Sequence, residues 1–172
     1  MIQIKNAAEL QKMRKACAIS AAALKAGGEA IEPGITTAEI DKIIYDFIVR
    51  HGARPNFLHL YGFPATACIS VNDTVIHGIP SRQQQIRPGD IVSIDTGCKI
   101  DGFNGDNACT YACGKIDLEA QRLLDVTKES LHRGIEMACG GNRVGDIGHA
   151  VQSYVEENGF SVVRTFVGHG VG

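Results

Sequence analysis

The chain has 172 residues, 44% of them hydrophobic and 21% charged, with a formal net charge of −2. These values are those of an ordinary globular domain and exclude disordered and membrane-embedded classes, while the near-neutral charge excludes a general electrostatic attraction to nucleic acid. A chain of this length buries roughly 70% of the surface its unfolded form exposes, so a core forms without disulfides. Met1 to Lys12 is polar and mixed in charge, with no secretory signal, and no run is apolar enough to span a bilayer. Cys17, Cys68, Cys98, Cys109, Cys113 and Cys139 lack framework spacing and read as reduced thiols of a cytoplasmic protein. The closest pair, Cys109 and Cys113, falls on one face of a strand, where packing is the simpler reading than zinc.

In chain order, Leu10, Met13, Cys17, Ala21 and Leu24 recur at helical steps and predict an amphipathic helix over 7–25, broken at Glu32-Pro33-Gly34. Thr36 and Glu39 form the pattern of a capping box, and Ile40, Ile43, Ile44 and Phe47 supply the buried face of a second helix ending near Gly52. Phe57, Leu60, Tyr61, Phe63 and Cys68 make an apolar segment that reads as core or as a pocket wall, core being the simpler expectation. A strand is predicted over 66–71, a turn at Asn72-Asp73, and a short extended piece over 75–80 that carries His77. After a turn at Arg87-Pro88-Gly89-Asp90, two strands over 91–100 and 103–112 flank Asp101-Gly102, a strong hairpin signal. Helical periodicity returns over 118–137, stops at Gly140-Gly141 and resumes over 144–157. A last strand is expected over 161–167 before Gly168-His169-Gly170-Val171-Gly172.

The second and fourth helical segments echo one another. Gly34, Glu39, Ile40, Phe47 and Gly52 fall on Gly141, Asp146, Ile147, Tyr154 and Gly159 at one constant offset, which reads either as an internal duplication or as the match that any two glycine-bounded amphipathic helices show at a few positions.

The chemistry concentrates in the hairpin. If the strands pair about Ile100-Asp101, Asp95 and Asp106 stand directly opposite; if they pair about Asp101-Gly102, the two are diagonal neighbours. Either register puts both carboxylates on one face, where a divalent cation would offset their repulsion. The alternative is a solvated hairpin face that tolerates both charges. His169, between two glycines, and His77, before Gly78-Ile79-Pro80, are each ambiguous alone.

Five blocks in order carry a resemblance: Cys68-Ile69-Ser70-Val71-Asn72, His77-Gly78-Ile79-Pro80, Gly89-Asp90-Ile91-Val92-Ser93-Ile94-Asp95, Asp101-Gly102-Phe103-Asn104-Gly105-Asp106 and Gly168-His169-Gly170-Val171-Gly172. Together they resemble the signature segments of type I methionine aminopeptidases, over essentially the whole chain. The resemblance implies an α+β pita-bread fold, a pseudo-twofold antiparallel sheet with outer helices, and residues 1–172 are expected to form the N-terminal portion of a single catalytic domain. It implies that Asp95, Asp106 and His169 ligate two divalent metal ions (cobalt, manganese, iron or zinc), that His77 contacts the substrate in catalysis, and that Phe63 and Cys68 line the methionine pocket. A metal-bridging hydroxide would then attack the scissile carbonyl of an N-terminal methionine on a nascent polypeptide. It also implies a cytoplasmic location near ribosomes, without nucleic-acid or membrane binding by itself.

Three departures stand out. Asn107-Ala108-Cys109 follows Asp106 where the family has a hydroxyl, Phe63 stands for a tyrosine, and the two glutamate ligands of the family would fall beyond Gly172. The expectation is therefore weak or absent activity from this chain alone and a tendency to self-associate, although full-length relatives are expected to be monomeric. The competing readings are an X-Pro aminopeptidase or prolidase of the same fold, and a non-catalytic binding relative.

Overall fold

A computed structural model describes residues 3–166 and 168–171. The chain divides into two compact units, one formed by residues 1–116 with the last residues 170–172, the other by residues 117–169.

The first unit opens with helix α1 (Ala7–Glu29), which starts at a capping box: Asn6 accepts from the Glu9 amide while the Glu9 carboxylate accepts from the Asn6 amide. The buried face of α1 matches the predicted stripe only in part. Leu24 is buried and Met13 half-buried, but Leu10, Cys17 and Ala21 are exposed, and the helix also buries Ala16, Ser20, Ala23, Gly27 and Gly28. Small residues are needed there because the backbone comes close to its neighbours: a Cβ on Gly28 would lie 2.2 Å from the Tyr111 ring, and one on Gly105 would lie 2.5 Å from the Ala16 carbonyl oxygen. Helix α2 (Thr37–Arg50) has the expected Thr36–Glu39 capping box and buries Ile40, Ile44 and Ile48, with Ile43 and Phe47 at its half-buried margins.

Strands β1 (Arg54–Pro55), β2 (Ala67–Val71), β3 (Ile91–Ile100) and β4 (Phe103–Ala112) form one antiparallel sheet. β4 runs along the whole of β3, and β1 and β2 follow one another along its other side, β1 at Cys98–Lys99 and β2 at Val92–Thr96. Ile100 pairs with Phe103, so Asp101 and Gly102 make a two-residue turn, both at positive φ (53° and 87°), which matches the twist of the strands it joins. Alternation along β3 sends Val92, Ile94, Thr96 and Cys98 into the core with Ile69 and Val71 of β2 and the isoleucines of α2. The other sheet face carries Ser93, Asp95 and Gly97.

The second unit is a helical hairpin of α3 (Leu118–Glu136) and α4 (Val144–Glu157). Val126, Ser130, Gly134 and Val155 are buried, and the Arg133 guanidinium lies 3.9 Å from the Tyr154 ring centroid. The expected strand over 161–167 is not formed: residues 161–166 are irregular, and Val167 lies outside the described residues. Val163 and Phe166 are more than half exposed, and the backbone of 161–166 joins no ladder that would hold it extended. Among the described residues no helix is long and apolar enough to cross a membrane.

Candidate metal centre

The register resolves the hairpin ambiguity. Asp95 stands opposite Ala108 and Asp106 opposite Gly97, so the two aspartates are diagonal neighbours on one face and not directly opposed. Such neighbours have Cα atoms about 7–8 Å apart, close enough for two carboxylates to reach toward a shared cation. Both are half-buried, on the face turned away from the helix-backed core.

Cys68 of β2 lies directly across from Asp95 on the same face. Its thiol is pushed up to about 12, first by burial and then by the negative charges of Asp95, Asp106 and Asp41. At neutral pH it is therefore a neutral wall beside the carboxylates and not a thiolate ligand. The start of β2 is held from α2, where Asp41 Oδ1 accepts from the amides of Thr66 (2.9 Å) and Ala67 (2.8 Å). Burial raises the Asp41 pKa, and those two hydrogen bonds partly oppose the shift.

His77 sits outside the sheet, exposed, at φ 55°. Its neighbour Gly78 runs along the free side of β2: the Ile69 amide donates to the Gly78 carbonyl (2.8 Å), and the Gly78 amide donates to Ser70 Oγ (3.1 Å). Ser70 shares the face of Cys68 and Asp95, so His77 is tethered beside that face rather than in the helical layer. Phe63 is half-buried just before β2. Core packing of its segment is corrected: Leu60 is 49% exposed and Tyr61 fully so, because left-handed backbone at His59, Tyr61 and Gly62 turns this stretch outward. His169 is exposed and belongs to the second unit.

Among the described residues, no three or more His, Cys, Asp or Glu gather into a group that could hold a metal ion, so Asp95 and Asp106 fit one as a two-carboxylate site that needs further donors. One departure changes meaning: Asn107 lies on the opposite face of β4, where its Oδ1 accepts from Ser20 of α1, while Ala108 puts a methyl group opposite Asp95. Periodicity also missed a structural pair within the motif blocks. Asn72 (φ 53°) donates to Asp90 and accepts from the Ile91 amide, and Asp90 also accepts from the Arg87 amide, clasping the ends of β2 and β3. The turn residues Asn72 and Asp90 were legible, but their partnership across eighteen residues was not.

A sheet backed by helices on one face presents two carboxylates on the other, an arrangement open to a divalent cation. The sequence matches the model of metallopeptidase family M24 over residues 11–172, and the chain belongs to that family. It is 52% identical to a methionine aminopeptidase of Clostridium perfringens over 172 residues, all of this chain and 69% of that protein. A methionine aminopeptidase 1 of Bacillus subtilis is 46% identical over the same length, again covering 69% of that protein. In structure, the methionine aminopeptidase of Rickettsia prowazekii superposes with a TM-score of 0.96 at 38% identity, over 99% of this chain and 68% of that one. The α+β pita-bread expectation and the metallopeptidase expectation therefore hold.

Proposed function

We propose that the protein is a cytoplasmic methionyl aminopeptidase that removes N-terminal methionine from new polypeptides. The observation that carries the reading is the diagonal pair Asp95 and Asp106 on one sheet face, beside a buried neutral thiol, in a chain 52% and 46% identical to methionine aminopeptidases. Asp95 and Asp106 would hold divalent ions (cobalt, manganese, iron or zinc), with His169 as a further donor. Bound there, the ions supply an activated water and polarise the scissile carbonyl.

The protein's own groups do the rest. His77, beside the carboxylate face, would contact the substrate and donate to its developing oxyanion. Cys68 and Phe63 would form the apolar wall for an unbranched thioether side chain, and the raised thiol pKa keeps a competing negative charge out of that wall.

The test is release of free methionine from a Met-Gly-type peptide with added cobalt or manganese, read by mass spectrometry. We expect metal-dependent release that Asp106→Asn abolishes. Release of the first residue from X-Pro peptides in preference to Met-Gly peptides would replace this reading with that of an X-Pro aminopeptidase.

A further inference from the structure

We propose that Ser70 is the positioning residue for His77, an assignment that rests on the reading of His77 as a substrate contact. Ser70 is 3% exposed, and on a strand whose core-facing neighbours are Ile69 and Val71 it spends a buried position on a hydroxyl. That hydroxyl is used: its Oγ accepts the Gly78 amide at 3.1 Å. Along the same free edge of the strand, the Ile69 amide donates to the Gly78 carbonyl at 2.8 Å. Gly78 is thus held at both of its backbone groups, one of them by a side chain.

The fit leaves no slack. A Cβ on Gly78 would lie 2.2 Å from the Ile69 carbonyl oxygen, so the loop backbone is pressed onto the strand. His77, one residue earlier, is held at φ 55°, a left-handed conformation that a non-glycine residue keeps only where its surroundings impose it. Loss of the Ser70 bond frees the Gly78 amide and removes one of the constraints on the backbone that carries His77.

Ser70 itself is fixed by its row. It stands opposite Ser93, which stands opposite Thr110, and the Ser93 and Thr110 hydroxyls share a hydrogen bond of 2.8 Å. Three hydroxyl residues therefore cross the sheet two pairs along from the Cys68–Asp95–Ala108 row, on the same face, and they tie the loop of His77 to the strands that carry both aspartates. A Val at Ser70 would pack as well but could not accept from Gly78.

The test combines two readouts on the full 172-residue chain. In the first, amide exchange and histidine resonances are followed by NMR in Ser70→Ala and Ser70→Thr. We expect Gly78 to exchange about tenfold faster in Ser70→Ala, with the His77 resonances shifted, and Ser70→Thr to restore both. An unchanged Gly78 amide, or equal loosening of the distant Gly34 amide that donates to Ile86, overturns the proposal, because the effect would then be absent or global. In the second, methionine release is compared in Ser70→Ala, His77→Ala and the double variant. We expect a fall in kcat with little change in KM for Ser70→Ala and no further loss when it is added to His77→Ala. Additive losses overturn the positioning role. If His77→Ala releases methionine at the wild-type rate, the substrate role of His77 fails, while the first readout still decides whether Ser70 anchors the loop.

Discussion

Gly27 packs against Ile44 so closely that a Cβ would come 2.7 Å from the isoleucine Cδ1, and Gly134 repeats the contact with Val151 at 2.9 Å. The second pair follows the first at the same sequence offset, and so do the next neighbours, Ile40 and Ile147, each 3.5 Å from the built Cβ. α2 and α4 have 14 residues each, begin where the acidic side chain three residues on, Glu39 or Asp146, accepts from the Thr36 or Arg143 amide, and are framed by glycines at φ 97° and 73° in one case and 98° and 78° in the other. The faint echo in the sequence is thus a duplicated helical hairpin.

These glycines separate by what they touch. Gly28→Ala would drive a methyl into the Tyr111 ring at 2.2 Å, whereas Gly134→Ala meets one γ-methyl of Val151 at 2.9 Å and an Ile147 methyl at an ordinary 3.5 Å. We expect Gly28→Ala to cost about 1–3 kcal/mol by overpacking, and Gly134→Ala to stay near neutral because a helix-propensity gain of about 1 kcal/mol offsets the contact. Urea unfolding of the two variants measures the difference, and equal midpoints would contradict it.

Asp41 offers a charge test. One oxygen, Oδ1, accepts both the Thr66 and Ala67 amides, so Asp41→Asn can keep both bonds while Asp41→Ala leaves two amides without an acceptor at about 1–3 kcal/mol. Burial raises the Asp41 pKa in the fold. Its contribution is therefore fully favourable below the unfolded-state pKa and is lost as pH rises through the folded value. Asp41→Asn should be the more stable protein at neutral pH, and the gap should close on acidification. A gap that widens toward low pH would reverse the sign.

The thiols divide evenly. Cys17, Cys109 and Cys139 are exposed, while Cys68, Cys98 and Cys113 are buried with raised pKa values, burial being the first cause in each. Brief alkylation of the native protein at pH 8 should add three labels, and alkylation after denaturation six. Early labelling of Cys68 would show that the wall beside Asp95 is open.

The duplication exposes a surface. In α1 the row Ala16, Ser20, Leu24 and Gly28 lies against β3 and β4: Ser20 donates to the Thr96 carbonyl, and the Leu24 carbonyl accepts from Tyr111. The matching row of α3 is Leu123, Thr127, Leu131 and Ile135, with Leu131 and Ile135 each 59% exposed. We expect the 172-residue chain to self-associate through this apolar row, and Leu131→Lys with Ile135→Lys to return it to a monomer in light scattering. Unchanged mass in the double variant would place the contact elsewhere.

Local signals were legible and distant ones were not. The hairpin strands were read to the residue, and α2 and α4 to within a residue or two, because the Asp101-Gly102 turn, the Thr36–Glu39 capping box and the bounding glycines are written in nearby positions. The buried face of α1 was partly misread because a close approach to the sheet selects small residues, which a hydrophobic period undervalues. The strand expected over 161–167 failed for a related reason: β propensity does not supply a neighbour. At the site, the shared face of Asp95 and Asp106 followed from period-two alternation, but their diagonal register needed the turn to be placed, and the Ser70 anchor joins residues whose contact no spacing rule announces.

The Asp101–Gly102 turn has a temporal consequence. Strands joined by two residues close within microseconds, whereas β2 reaches β3 only after the intervening loop has been ordered, and β1 after a longer one. Closure of this local hairpin would bring the two aspartates together ahead of the longer loops. Cys68 and the tether of His77 would then join with β2, leaving the carboxylate pair open to a cation before the wall beside it forms.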